Sequence, residues 1–183
     1  MSKNLRPVFT HVGLFVNDLE PMVEFYTNVV GQTLSDRGKA TTADVDLVFF
    51  SNDPNEHHQF VLVSGRPDDV NFGLCHQVSF LVEDMEDLRI MYERAVARGV
   101  PNIKPVSHGN AYSVYFDDPE GNMVEVYMHS EWHVPQPHYR PIDFTKSDEE
   151  ILAENEAICR KDPGFSTVRD RKAEMENRIA GPA

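Results

Sequence analysis

The chain has little that would tie it together covalently or hold it to a polyanion. Its 183 residues include two cysteines, Cys75 and Cys159. Two thiols are too few for a disulfide framework, and neither sits in a CxxC pattern of a redox or zinc site, so both read as structural. Lys and Arg number 17 against 30 Asp and Glu, a formal net charge of -13. No basic face is left to neutralise phosphates, which excludes nucleic-acid binding. No apolar run approaches the roughly 18 residues a membrane span requires, and the opening MSKNLRPVFT has no apolar signal core. A cytoplasmic protein is expected. The remainder, 40% hydrophobic and 26% charged, is ordinary for a globular protein of one sizeable core or two small modules.

The richest stretch is SVYFDDPEGNMVEVYM, Ser113 to Met128. Asp118 to Asn122 is turn chemistry between two alternating runs, which reads as a hairpin. In its second strand Met123, Glu125 and Tyr127 share one face, and Val124 and Val126 the other. A carboxylate in mid-strand is costly to bury unpaired, so a cation or metal is expected beside Glu125.

Upstream the same grammar occurs twice. FTHVGLFV, Phe9 to Val16, reads as a strand, followed by Asp18 as helix cap, an apolar stripe at Met22, Phe25, Tyr26 and Val29, and Gly31 as stop. Strands follow at Asp46 to Phe50 and His57 to Val63, with a weaker one at Gln32 to Arg37. His76 then opens HQVSFLVED, Asp84 caps, Leu88, Met91, Tyr92 and Ala95 form the stripe, and Gly99 ends it. A weak strand at Asn102 to Val106 and the hairpin complete the second copy. The offset is fixed: 76 minus 11 and 119 minus 54 both give 65, aligning the two histidines and the two turn prolines. Under it Glu125 falls on Phe60, while His58 lies two residues earlier, so three ligands rather than four are expected. The expected fold class is α+β, two paired βαβββ modules over residues 1–66 and 67–130, with an extended and helical tail over 131–183. Equivalent strands then converge His11, His76 and Glu125 into two imidazoles and one carboxylate, a facial triad suited to non-haem Fe(II).

With these residues in place, the chain over about residues 8–130 resembles the vicinal oxygen chelate superfamily, and within it the compact one-domain type I extradiol catechol dioxygenases. His11, His76 and Glu125 match the order and spacing of that family's iron ligands. EHHQFVLV resembles its paired-His strand, which implies His58 as acid and base. YFDDPEGNMVEV resembles its final hairpin, which implies Tyr115, ten residues before Glu125, as the phenol that bonds substrate. His108 looks like the family's histidine near bound oxygen. The resemblance implies Fe(II), with Mn(II) as alternative, a catechol-type substrate, O2 as co-substrate and a homo-oligomer. A neutral imidazole suits the proton transfer, since its unperturbed pKa is about 6.5.

Other readings stay open. A glyoxalase-type isomerase would want a fourth, carboxylate ligand where Phe60 stands. A fosfomycin-modifying transferase has no obvious use for His57-His58 and Tyr115, and a drug-binding module needs no metal. Without the resemblance, His57 and His58 read as an exposed strand end, Tyr115 as a core aromatic and His108 as a solvated loop residue. In the tail, Ser147 and Glu150 form a capping box for a helix to about Arg160, and a polar helix follows from about Thr167 to Ile179. Trp132, His133 and Tyr139 either cover a cleft or pin the tail.

Overall fold

The computed structural model describes residues 6–70 and 75–180. The first five residues, part of the opening behind the cytoplasmic expectation, lie outside them. The chain divides into two compact units, Met1–His76 with Asp118–Asn122, and Gln77–Asp117 with Met123–Ala183.

In the first unit β1 (Val12–Val16) leads to α1 (Leu19–Phe25), which runs into a π-helical turn at Tyr26–Val30. Asp18 caps the helix by accepting from the Glu20 amide, and Gly31 ends the run at φ 86°, a left-handed value that glycine adopts without a Cβ clash. Then come β2 (Leu34–Lys39), β3 (Asp46–Phe50) and β4 (Phe60–Ser64) in the sheet order β1-β4-β3-β2. Met22, Phe25, Tyr26 and Val29 are buried, as their i, i+3, i+4, i+7 spacing requires. The Tyr26 ring lies 4.6 Å from Phe60, and its hydroxyl donates to Asp118.

The second unit repeats the plan. β5 (Val78–Leu81), α2 (Met85–Ala97), β6 (Lys104–Ser107), β7 (Ala111–Asp117) and β8 (Met123–His129) form the order β6-β7-β8-β5. In both sheets the first strand of the module lies parallel to the last. Of the α2 stripe, Leu88, Met91 and Ala95 are buried along with Met85, whereas Tyr92 is half-buried with its ring 4.7 Å from Phe144; Val114, Phe116, Val124 and Val126 of β7 and β8 are buried as well. Shifted by 65, every element of the first module overlaps its counterpart along most of its length except β2, which meets β6 only at Lys39 on Lys104 because the loop after β2 is longer.

The tail belongs to the second unit. β9 (Trp132–His133) pairs with β11 (Ser166–Thr167), and β10 (Arg140–Pro141) extends the sheet beside β6. Ser147 and Glu150 form the capping box of α3 (Asp148–Cys159), whose Ile151, Asn155 and Cys159 are buried one turn apart. α4 (Val168–Ala180) buries none of its residues. Trp132 is buried, which fits a pin for the tail, whereas Tyr139 is exposed.

Candidate active site

Sheet register gathers the polar groups of the second unit. β8 lies between β5 and β7, so Glu125 has Ser79 directly across on one side and Tyr115 on the other. Its Oε2 accepts from Ser79 Oγ at 2.6 Å and Gln77 Nε2 at 2.8 Å; its Oε1 accepts from Ser113 Oγ at 2.8 Å and lies 2.5 Å from the Tyr115 hydroxyl. Glu125 is only 7% exposed. Four neutral donors thus fill the roughly four lone-pair sites a carboxylate offers. Gln77, Ser79 and Ser113 had no signal in the sequence as its partners.

The Tyr115 phenol has a second neighbour, His108 Nε2 at 2.9 Å. His108 Nδ1 faces the His138 carbonyl at 2.8 Å, and a carbonyl only accepts, so Nδ1 carries a proton and Nε2 is the lone pair whenever the ring holds one proton. The single phenolic proton therefore has two acceptors. Burial first, and then the Glu125 carboxylate, hold the Tyr115 pKa well above the ordinary phenol value, so the hydroxyl keeps its proton. The Tyr139 ring lies 6.1 Å from His108, bringing one tail aromatic to this group.

A second cluster sits in the first unit. β4 begins at Phe60, not at His57, which leaves His57 and His58 in the preceding loop. β1 likewise begins at Val12 and leaves His11 exposed one residue ahead of it. The His11 and His58 rings are 4.5 Å apart, and His57 and His58 approach at 2.9 Å between their Nδ1 atoms. Phe49 packs against both, 5.3 Å from His57 and 5.1 Å from His58. Burial, and after it the neighbouring His11 and His57, lower the His58 pKa and favour the neutral ring. His11 Nδ1 faces Thr10 Oγ1 at 3.0 Å, which leaves Nε2 available as a ligand.

His76 is exposed, two residues ahead of β5. Among the described residues no three His, Cys, Asp or Glu side chains are gathered around one point. Imidazoles such as those of His11 and His76, and a carboxylate such as that of Glu125, are donor types that divalent transition metals, Fe(II) and Mn(II) among them, accept. The four donors on Glu125 set one condition, since a metal bond needs one of its lone pairs released. Tyr115 can release one, because His108 Nε2 offers its proton another acceptor.

Known proteins resemble this chain in sequence and in fold. Biphenyl-2,3-diol 1,2-dioxygenase 2 of Rhodococcus globerulus is 28% identical over 124 residues, 66% of this chain, and the match spans 62% of that protein. Biphenyl-2,3-diol 1,2-dioxygenase 3 of the same organism is 27% identical over 176 residues, 84% of this chain and 88% of its own length. A glyoxylase/bleomycin resistance protein/dioxygenase domain from Frankia sp. EAN1pec superposes with a TM-score of 0.56 at 26% identity, covering 71% of this chain and 96% of that one. Among the described residues no helix is long and apolar enough to cross a membrane. Residues 8–126, both βαβββ repeats from before β1 into β8, match the family profile, and the chain belongs to the Glyoxalase/Bleomycin resistance protein/Dioxygenase superfamily.

Proposed function

We propose that this protein is an extradiol dioxygenase that inserts both atoms of O2 into a catechol-type aromatic diol at a non-haem Fe(II) centre, with Mn(II) as the alternative metal. His11, His76 and Glu125 are the ligands, and His58, Tyr115 and His108 the groups that act on substrate and oxygen. The observation that carries this reading is the Glu125, Tyr115 and His108 chain: a buried carboxylate whose neighbouring phenol is shared with an imidazole. A glyoxalase-type isomerase has no use for a phenol between ligand and imidazole, and Phe60, where its fourth ligand would stand, is a core residue at 2% exposure. The two dioxygenase relatives support the same direction.

When bound, the metal would chelate both diol oxygens and leave a position for O2. The chain's residues supply orientation and proton transfer. His58, held neutral at ordinary pH, takes a diol proton and returns it as the ring opens. Tyr115, kept protonated, donates to a substrate oxygen, and His108, 2.9 Å from that phenol, is the imidazole placed to interact with the dioxygen. The protein acts as a homo-oligomer.

Loading with Fe(II) under anaerobic conditions, then mixing with O2 and a panel of mono- and bicyclic catechols, tests the proposal. Stoichiometric O2 uptake with a yellow ring-fission product is expected. Tight iron binding with no uptake across the panel would overturn it in favour of an isomerase or transferase. Failure to bind iron or manganese would point to a binding module.

A further inference from the structure

The loop that carries the two adjacent histidines also carries a device for choosing which nitrogen of His58 is basic. We propose that His57, backed by Asp36, is a positioning residue that holds His58 in the Nδ1–H tautomer, so that its Nε2 is the lone pair available for proton transfer. The inference rests on the dioxygenase reading for the role of His58, but the hydrogen-bond chain stands without it.

The chain begins at a β-bulge. The β2 and β3 register steps from Leu34↔Phe50 to Asp36↔Phe49, so Ser35 is the extra residue and Asp36 is re-aimed at that point. The Asp36 carboxylate is held by its Oδ1, which accepts from the Arg37 amide at 2.7 Å, while Oδ2 lies 3.6 Å from His57 Nε2. At 3.6 Å this is an electrostatic neighbour rather than a hydrogen bond. A carboxylate on that side still favours a proton on His57 Nε2, and a neutral ring protonated there has its lone pair at Nδ1. The Nδ1 of His57 is 2.9 Å from the Nδ1 of His58, and of two such nitrogens one must donate. His57 accepts, so His58 donates from Nδ1 and keeps Nε2 unprotonated. In water an isolated histidine favours the opposite tautomer, so the arrangement imposes a choice that His58 alone would not make.

The geometry is fixed by packing as well as by hydrogen bonds. Phe49 is the partner of Asp36 across β2 and β3, and its ring lies against both imidazoles, so the bulge, the carboxylate and the two histidines share one support. A tautomer lock of this kind resembles the way metal-ligating histidines are oriented by a group behind them, whose removal costs about 10- to 100-fold in activity or affinity.

The test reads the tautomer directly. Two-bond 1H–15N spectra of the full chain, metal-free and at about pH 8.5, where an imidazole of ordinary pKa is neutral, report which nitrogen is protonated; loss of peaks in His58→Phe assigns them. Wild type is expected to show His58 protonated at Nδ1. His57→Phe should move it to the Nε2–H form, and His57→Gln, whose side-chain carbonyl can accept from Nδ1–H, should restore it. An Nε2–H His58 in wild type, or no change in His57→Phe, would overturn the proposal. In the O2-uptake assay His57→Phe should lower kcat about tenfold or more with KM unchanged, recovered in His57→Gln; an unaltered kcat would also overturn it. Because the spectra need neither metal nor turnover, a wild-type protein with the Nδ1–H tautomer and no O2 uptake would sink the dioxygenase reading alone.

Discussion

Tyr115 and Glu125 stand directly opposite each other on β7 and β8, the phenol 2.5 Å from Oε1 and 2.9 Å from His108 Nε2. Replacing Tyr115 by Phe removes one of the four donors on a buried carboxylate while Gln77, Ser79 and Ser113 remain. A hydrogen bond to a charged group is worth about 1.5–3 kcal/mol, so a fall in unfolding free energy of that order is expected in urea titration. Fe(II) should bind at least as tightly, since a lone pair on Oε1 is released, while turnover falls by an order of magnitude or more. Normal turnover in this variant would remove the phenol from the mechanism.

Ligand and proton-transfer roles separate in a pair of variants. Glu125→Ala is expected to lose stoichiometric Fe(II), measured by metal analysis after desalting. His58→Phe should retain iron and substrate binding and lose about 100- to 10,000-fold in kcat, the usual worth of a positioned acid or base. Full iron occupancy in Glu125→Ala would remove Glu125 from the metal site.

Glu120 carries a structural load that its place in a turn conceals. Its Oε1 accepts from the backbone amides of Asn17 at 2.7 Å and Asp18 at 2.9 Å, its Oε2 from Asn17 Nδ2 at 3.3 Å, and Arg66 Nη1 lies 3.4 Å away. The carboxylate thus receives the chain where it turns from β1 into α1. Glu120→Ala leaves those amides without their acceptor and Arg66 without its partner, for an expected loss of about 2–4 kcal/mol. Glu120→Gln should recover part of it, because the amide oxygen can still accept. An unchanged urea midpoint in Glu120→Ala would show that water replaces the carboxylate at no cost.

These cases mark what the sequence could reveal. Helix caps at Asp18, Asp84 and Ser147 and the buried stripe from Met22 to Val29 depend on local spacing, and they are legible because a helix brings i, i+3 and i+4 together whatever the rest of the chain does. The duplication was legible for the same reason, as two copies of one local pattern. The partners of Glu125 were not. Ser79 faces it only because β8 lies between β5 and β7 in a particular register, and a serine in a strand carries no mark of its neighbour. Asp36 is harder still, since a one-residue bulge decides where it points. The late starts of β1 and β4 have a related origin: FTH and HHQ alternate well enough for a strand, but pairing in register begins at Val12 opposite Phe60.

Acidification tests the tail. Burial, and then Arg171 beside His133 and Arg140 beside His138, lower both imidazole pKa values below the ordinary 6.5, although Glu174 and Asp162 act the other way. His108 also faces His138 and adds to the lowering. In the unfolded chain both histidines titrate near about 6.5. Between the lowered native values and that figure the unfolded state holds more protons, so unfolding takes up protons and stability rises with pH. The contribution is therefore present above about pH 6.5 and lost as pH falls through the native values. Because other groups also titrate, the measurement is a difference: urea midpoints from about pH 7.5 to 5.5 for wild type against a His133→Asn, His138→Asn double variant. Wild type should lose stability on acidification more steeply than the variant. Equal slopes, or a steeper loss in the variant, would show that these imidazoles accept protons in the folded tail as readily as in the unfolded chain.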